Sequence, residues 1–392
     1  MSKSRNHKIG LLFSTTGPYA IIGRSMLNGA LLAIEEINAS DAFPFVLDCT
    51  AVDPGGLNAR YADVAKSMLA DGGLRHVVGC YTSSSRKEVQ PYFEKYDGML
   101  WYPSHYEGFE SCENTAYTGA SPNQHIIPLA RFLLKHRGAI AYFIGSNYIW
   151  AWENNKIMRE AVLGAGGVVL AERYAPVGEI DHDSAIAQIL ALRPDFIFNT
   201  LIGDSAYAFF RALRRAAVGA GIDQAAEIPV ASCSLSEPEL KAIGPDACDG
   251  HISSSVYFQS VGGKANAAFI RAYLGRFPEQ GVTSADAEAS YVAVHLLARA
   301  LRTAESEELN AIRASLPQIA LDAPQGRVRI DSDNRHCFLT PRIGVSTRDA
   351  GFDIIFEAAA PVKPDPYLVW DEACVDRRQG ALAKRSRLRA VK

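Results

Sequence analysis

The sequence carries few of the features that announce a reaction or a compartment. No apolar run has the length of a bilayer-spanning helix, about 20 residues, so no transmembrane helix is predicted. The seven cysteines form no C-x-x-C pair. Cys49, Cys80, Cys233 and Cys337 lie in or beside apolar runs and read as small core residues of a reduced protein. A net charge of −3 over 392 residues gives no general reason to bind nucleic acid or an anionic surface. There is no P-loop, no G-x-G-x-x-G after a strand, no G-x-S-x-G elbow and no H-E-x-x-H. The nine histidines show no metal-ligand spacing. No nucleophile, base and oxyanion donor stand in register, so no catalytic residue, metal or cofactor is expected. Met1–Lys8 is polar and runs straight into a strand, without the apolar core of a signal peptide. The expectation is cytoplasmic if Met1 is the native start, and periplasmic if a signal peptide has been removed.

What is present is a repeating α/β pattern. Apolar runs at Lys8–Phe13, Phe45–Val52, His76–Cys80 and Met99–Trp101 alternate with helical spacings at 25–38, 58–70 and 85–96. The pattern starts again after Pro122, with strands expected at 140–144, 168–174, 196–200 and 228–231 and helices between them. Further helices and short strands at 326–330, 338–345 and 352–356 finish both units. This is the signature of doubly wound parallel sheets in two lobes. The boundaries are placed at 8–121 plus 251–326 for the N-terminal lobe and 122–250 plus 327–370 for the C-terminal lobe. The basic tail, 371–392, is expected to be disordered.

Polar side chains gather where the strands end, which is where open α/β sheets hold ligands. In the first lobe these are Tyr81 and Ser83, then Tyr102, Ser104 and His105. In the second lobe they are Tyr148, Trp150, Asp204 and Ser234. Facing one another they would form a cleft with aromatic walls, hydroxyl groups and one carboxylate. No Arg or Lys ends a strand, which argues against a phosphate or large anion. The composition suits a small, neutral, planar polar ligand: hydroxyls donate to a carbonyl, Asp204 accepts from an amide N–H, and rings sandwich the plane. His105 is the residue expected to set which ligand fits.

The blocks Val78–Ser83, Ser85–Lys87, Tyr102–Pro103, Tyr106–Glu110, Pro122–Gln124, Gly145–Tyr148, Asp322–Gly326 and Pro364–Tyr367 resemble the type I periplasmic-binding-protein superfamily over nearly the whole chain. Two groups within it are similar: the cytoplasmic short-chain-amide sensors that negatively regulate aliphatic amidase operons, and the urea-binding components of ABC transporters. The resemblance implies two lobes joined by three crossovers that close over an amide. Matching positions would be Tyr81, Ser83, Tyr102, Ser104, Tyr148, Trp150 and Ser234. This chain departs from the sensors at Ser104 (a Thr there), His105 (Pro) and Trp150 (Tyr). Asn199–Ser205 and Ser234–Glu237 are more like the urea binders, and Gly10–Ser14 more like the sensors. The leading expectation is a non-enzymatic sensor of a small amide or urea, acting through an RNA-binding antitermination protein, with a homodimer as a further expectation. The alternative is the substrate-binding component of an ABC transporter for urea, amides or branched-chain amino acids.

Overall fold

A computed structural model describes residue 3 and residues 5–369; the expected basic tail lies outside them. The first sheet contains β1 (Arg5–Leu12), β2 (Phe45–Val52), β3 (His76–Gly79), β4 (Met99–Tyr102) and β5 (Thr115–Tyr117). These run in the order β2-β1-β3-β4-β5, all parallel. Between them lie α1 (Ala20–Ala39), α2 (Asn58–Lys66) and α3 (Ser83–Lys95). Apolar residues point to both faces, as a sheet covered on both sides requires. Ile9, Leu11, Val78 and Trp101 pack against Met26 and Ala30 of α1, while Leu12, Val77 and Leu100 pack against Tyr61, Val89 and Phe93.

The chain then crosses to a second, seven-stranded sheet. Its parallel core is β6 (Ile140–Ser146), β7 (Val168–Ala175), β8 (Phe196–Thr200), β9 (Val230–Ser232) and β10 (Ile252–Ser255). The covering helices are α4 (Ile126–His136), α5 (Ile149–Gly164), α6 (Asp183–Leu192), α7 (Asp204–Gly219), α8 (Gln224–Glu227) and α9 (Glu237–Ile243). After β10 the chain returns to the first lobe through α10 (Lys264–Arg276), α11 (Ala285–Ala304) and α12 (Leu309–Ser315). Leu297 and Leu301 of α11 join the core beside α1. A small antiparallel sheet of β11 (Ala320–Ala323), β12 (Gly326–Ile330) and β13 (Cys337–Phe338) follows, tied to β5 by a bridge between Tyr117 and His336. The last two strands, β14 (Arg342–Ser346) and β15 (Phe352–Glu357), complete the second sheet as an antiparallel edge.

The chain therefore passes between lobes after β5, after β10 and after β13. Two expected boundaries shift. Residues 252–255, expected in the first lobe, pair with β9 and β14 of the second. Residues 327–338, expected in the second lobe, stay with the first. The single strand expected at 338–345 is broken at Thr340-Pro341, because proline removes a ladder donor and the chain crosses lobes there.

Candidate functional site

The first lobe's half of the cleft begins where β3 ends. Gly79 is required by close packing: a Cβ there would lie 2.5 Å from the Leu12 carbonyl oxygen. Thr82 caps α3, its hydroxyl accepting the Ser85 N–H at 3.1 Å. Ser83 opens the helix, but its hydroxyl is committed: it donates to the Glu107 carboxylate and accepts from Arg86 Nη1 at 3.3 Å. Arg86 is fully buried. It bonds Glu107 through Nη2 and Glu110 through Nε, each at 3.0 Å, and its guanidinium lies 4.8 and 4.7 Å from the Tyr102 and Tyr106 ring centroids. Burial pushes the Glu110 carboxyl up, yet Arg86, Lys87 and Tyr117 hold it down at about 2. The Tyr102 hydroxyl donates to the Tyr81 carbonyl at 2.9 Å. Ser83 and Tyr102 thus form a braced layer behind the cleft wall, and Arg86 is the brace that sequence reasoning missed.

In the second lobe Tyr148 occupies the N-cap position of α5 and Trp150 lies in its first turn. The Tyr148 and Trp150 rings stack at 6.1 Å. His105 of the first lobe meets Trp150 edge-on at 5.4 Å, and meets His125 at 5.6 Å. Burial, with a smaller push from His125, takes the His105 imidazole down to about 3, so the ring is neutral. Burial also raises the Tyr148 hydroxyl, reinforced by Tyr102, Glu107 and Tyr19 of the facing lobe. Tyr81 is raised likewise by burial, then by Asp286, Glu239, Tyr148 and Tyr207. His105 meets Trp150 across the cleft, Tyr81 and Tyr148 lie close enough to influence each other, and Tyr19, Tyr207, Glu239 and Asp286, which the sequence reading did not select, lie near one or the other of these tyrosines.

The other expected residues divide. Ser104 is buried with its hydroxyl unpartnered. Ser234 is buried and shares a 3.2 Å contact with the Ser232 hydroxyl. The Asp204 side chain is exposed, contrary to the expected carboxylate in the cleft. Asp204 is the first residue of α7, and from there its side chain reaches solvent while its backbone N–H donates to the Pro18 carbonyl of the first lobe at 3.0 Å. Beside it Gly203 has φ 58°, and a Cβ there would lie 2.0 Å from the same oxygen. This contact and the His105–Trp150 pair join the two lobes across the cleft.

Between the closed lobes, on the crossover side, is a cavity of about 30 Å³ lined by Pro103, His105, His125, Cys233, Ser254 and Asp286, among others. Three buried polar atoms of the cleft region have no hydrogen-bond partner within the protein: Ser104 Oγ, His125 Nδ1 and Trp150 Nε1. Burial pushes the carboxyls of Glu237 and Asp286 up to about 7, and that of Glu239 to about 8. Among the described residues no group of three or more His, Cys, Asp or Glu is placed to hold a metal ion, and no helix is long and apolar enough to cross a membrane.

The family model described as a periplasmic binding protein domain matches residues 7–373, and the chain belongs to that family. A solute-binding protein of an ABC transporter from R. palustris, in complex with 4-hydroxybenzoate, superposes with a TM-score of 0.80 at 17% identity, covering 94% of this chain and 100% of that one. The branched-chain amino acid transporter substrate-binding protein LivJ from Streptococcus pneumoniae, in complex with isoleucine, gives 0.78 at 19% identity, covering 92% and 100%. These identities carry the fold alone. A curated relative, limonene hydroxylase of Geobacillus stearothermophilus, is 27% identical over 126 residues, 32% of this chain. The match spans only 23% of that relative's length, and the activity in its name is not carried over.

Proposed function

We propose that this member of the periplasmic binding protein family is a solute-binding component that captures one small amide or urea between its lobes. The observation that carries the reading is the set of buried, unpartnered polar atoms on facing surfaces of the cleft, among rings that can sandwich a flat group. A buried donor or acceptor left alone costs about 1–3 kcal/mol, and a solute held between the lobes would satisfy these. Trp150 Nε1–H supplies a donor for a carbonyl, and the Tyr148 and Trp150 rings supply the flat wall. The cavity is far smaller than the several hundred Å³ of a drug-sized pocket, which favours a solute of a few heavy atoms.

Of the two roles expected from the sequence, we adopt transport, because the solved neighbours named above are solute-binding proteins of transporters. The sensor role and its antitermination partner rest on the sequence resemblance. Calorimetric titration with acetamide, butyramide, urea, leucine and isoleucine tests the reading. Binding of an amide or urea is expected, with Trp150→Phe weakening it about 5- to 100-fold, the equivalent of one lost buried hydrogen bond. Binding of a branched-chain amino acid with no response to any amide or urea would overturn it.

A further inference from the structure

The crossover-side cavity is rich in acceptors and lined by no Lys or Arg. His125 donates from Nε2 to the Tyr106 carbonyl at 2.9 Å, which assigns its proton to that nitrogen and leaves Nδ1 as a lone-pair acceptor. Nδ1 is buried and meets no donor in the protein. Asp286, in the first turn of α11, is 7% exposed, and its carboxyl accepts a hydrogen bond from its own backbone N–H. Ser254 has already spent its hydroxyl hydrogen on the His125 carbonyl at 2.8 Å. The cavity thus presents a neutral imidazole acceptor from the segment entering the second lobe and a carboxylate from the first, with Glu239 close enough to raise the Tyr81 hydroxyl alongside Asp286.

We propose that His125 Nδ1 and the Asp286 carboxylate together read N–H groups of the bound solute. The site then selects a molecule with at least two N–H donors on one carbon, a primary amide or a urea, and rejects carboxylates. This rests on the capture reading above and specifies the recognition within it. The named neighbours bind ligands that carry a carboxylate, 4-hydroxybenzoate and isoleucine. Above the Asp286 titration near 7, a carboxylate placed here would face two acceptors and no compensating cation, which is repulsive at short range. An amide NH₂ instead supplies one donor to His125 Nδ1, which otherwise stays unsatisfied, and a second to the Asp286 carboxylate. Sites built to hydrogen-bond a polar group discriminate strongly against isosteres that lack it.

The test is a matched series on the full chain: acetamide, acetone and acetate, which share a methyl group, a planar carbon and nearly the same volume. Calorimetry at pH 7.5 should show acetamide bound, acetone at least tenfold weaker and acetate undetectable at the same concentration. Asp286→Asn should weaken acetamide at least tenfold while changing the weak acetone affinity less than twofold. Circular dichroism establishes that the variant is folded, and the wild-type series decides the matter even if it is not. Acetone equal to acetamide, or acetate tighter than acetamide, would overturn the N–H reading and leave capture of a small solute standing. No response to acetamide or urea would overturn both.

Discussion

Arg86→Met is the substitution whose cost the structure defines most closely. Arg86 is 0% exposed and holds two carboxylates, Glu107 at 2% and Glu110 at 13% side-chain exposure. Methionine keeps much of the volume and can lie on the Tyr102 and Tyr106 rings, so packing loss is minor. The electrostatic loss is not. Glu107 keeps only the Ser83 hydroxyl among its side-chain partners, whereas Glu110 retains Lys87, Gln90 and Tyr117. Removing one partner of a buried pair costs about 3–5 kcal/mol, because the remaining charge is stranded. At 2–4 °C per kcal/mol that lowers the melting temperature by on the order of 10 °C. Adding Glu107→Gln should return part of the loss, since the stranded charge is then gone. Urea and thermal melts of the wild type, both single variants and the double variant measure this directly. A loss below about 1 kcal/mol for Arg86→Met, or a double variant as unstable as the sum of its parts, would refute the brace.

Gly203→Ala should leave the lobes folded but unable to close, because the new Cβ would lie 2.0 Å from the Pro18 oxygen and φ is 58°. Small-angle scattering should then show no compaction with acetamide, and normal compaction would refute the contact. Stability should peak on the mildly acidic side of neutrality. Burial lowers His76, His105 and His336 to about 3 and His125 and His251 to about 4, so their contribution is lost as pH falls below the ordinary value near 6.5. Burial raises Glu237, Asp286 and Glu288 to about 7 and Glu239 to about 8, so their contribution is lost as pH rises through 7–8. Each net proton changes the balance by about 1.4 kcal/mol per pH unit. A melting temperature that climbs steadily from pH 6.5 to 8.5 would contradict the placement of these carboxyls.

Much of the fold and part of the site were legible in the chain. Alternating apolar runs and helical spacings identify the strands around Tyr81, Tyr102 and Ser146, and the Thr82–Ser85 cluster marks a helix start because hydroxyls cap free N–H groups. What failed was long-range pairing. The Arg86 brace joins residues 21 and 24 positions apart through a loop without periodicity. Asp286 reaches the cleft from a helix far along the chain, where an acid in a first turn looks like an ordinary dipole partner. Asp204 shows the converse: a polar residue after a strand was read as facing the ligand, but the first residue of a helix can as easily face solvent. The crossovers after β10 and β13 were misplaced because serine-rich Ser253–Ser255 and the short Cys337–Phe338 carry too little apolar pattern to declare their sheet.

The energetics of closure follow from the same atoms. With the lobes in contact, Ser104 Oγ, His125 Nδ1 and Trp150 Nε1 are buried without partners in the protein. At about 1–3 kcal/mol each, the penalty is several kcal/mol, set against the buried rings and the Asp204–Pro18 hydrogen bond. Moving an equilibrium between open and closed forms from 1:99 to 99:1 requires about 5.5 kcal/mol of differential binding. A solute that pairs His125 Nδ1 and Asp286 at once supplies part of that energy, and it does so only in the closed form, because those groups come from both sides of the crossover. A ligand that satisfies neither, such as acetone, binds without shifting the equilibrium far. Selectivity for N–H donors and control of closure are thus one property of the cleft, and a solute that fails the first also fails to produce the conformation a transporter or regulator would read.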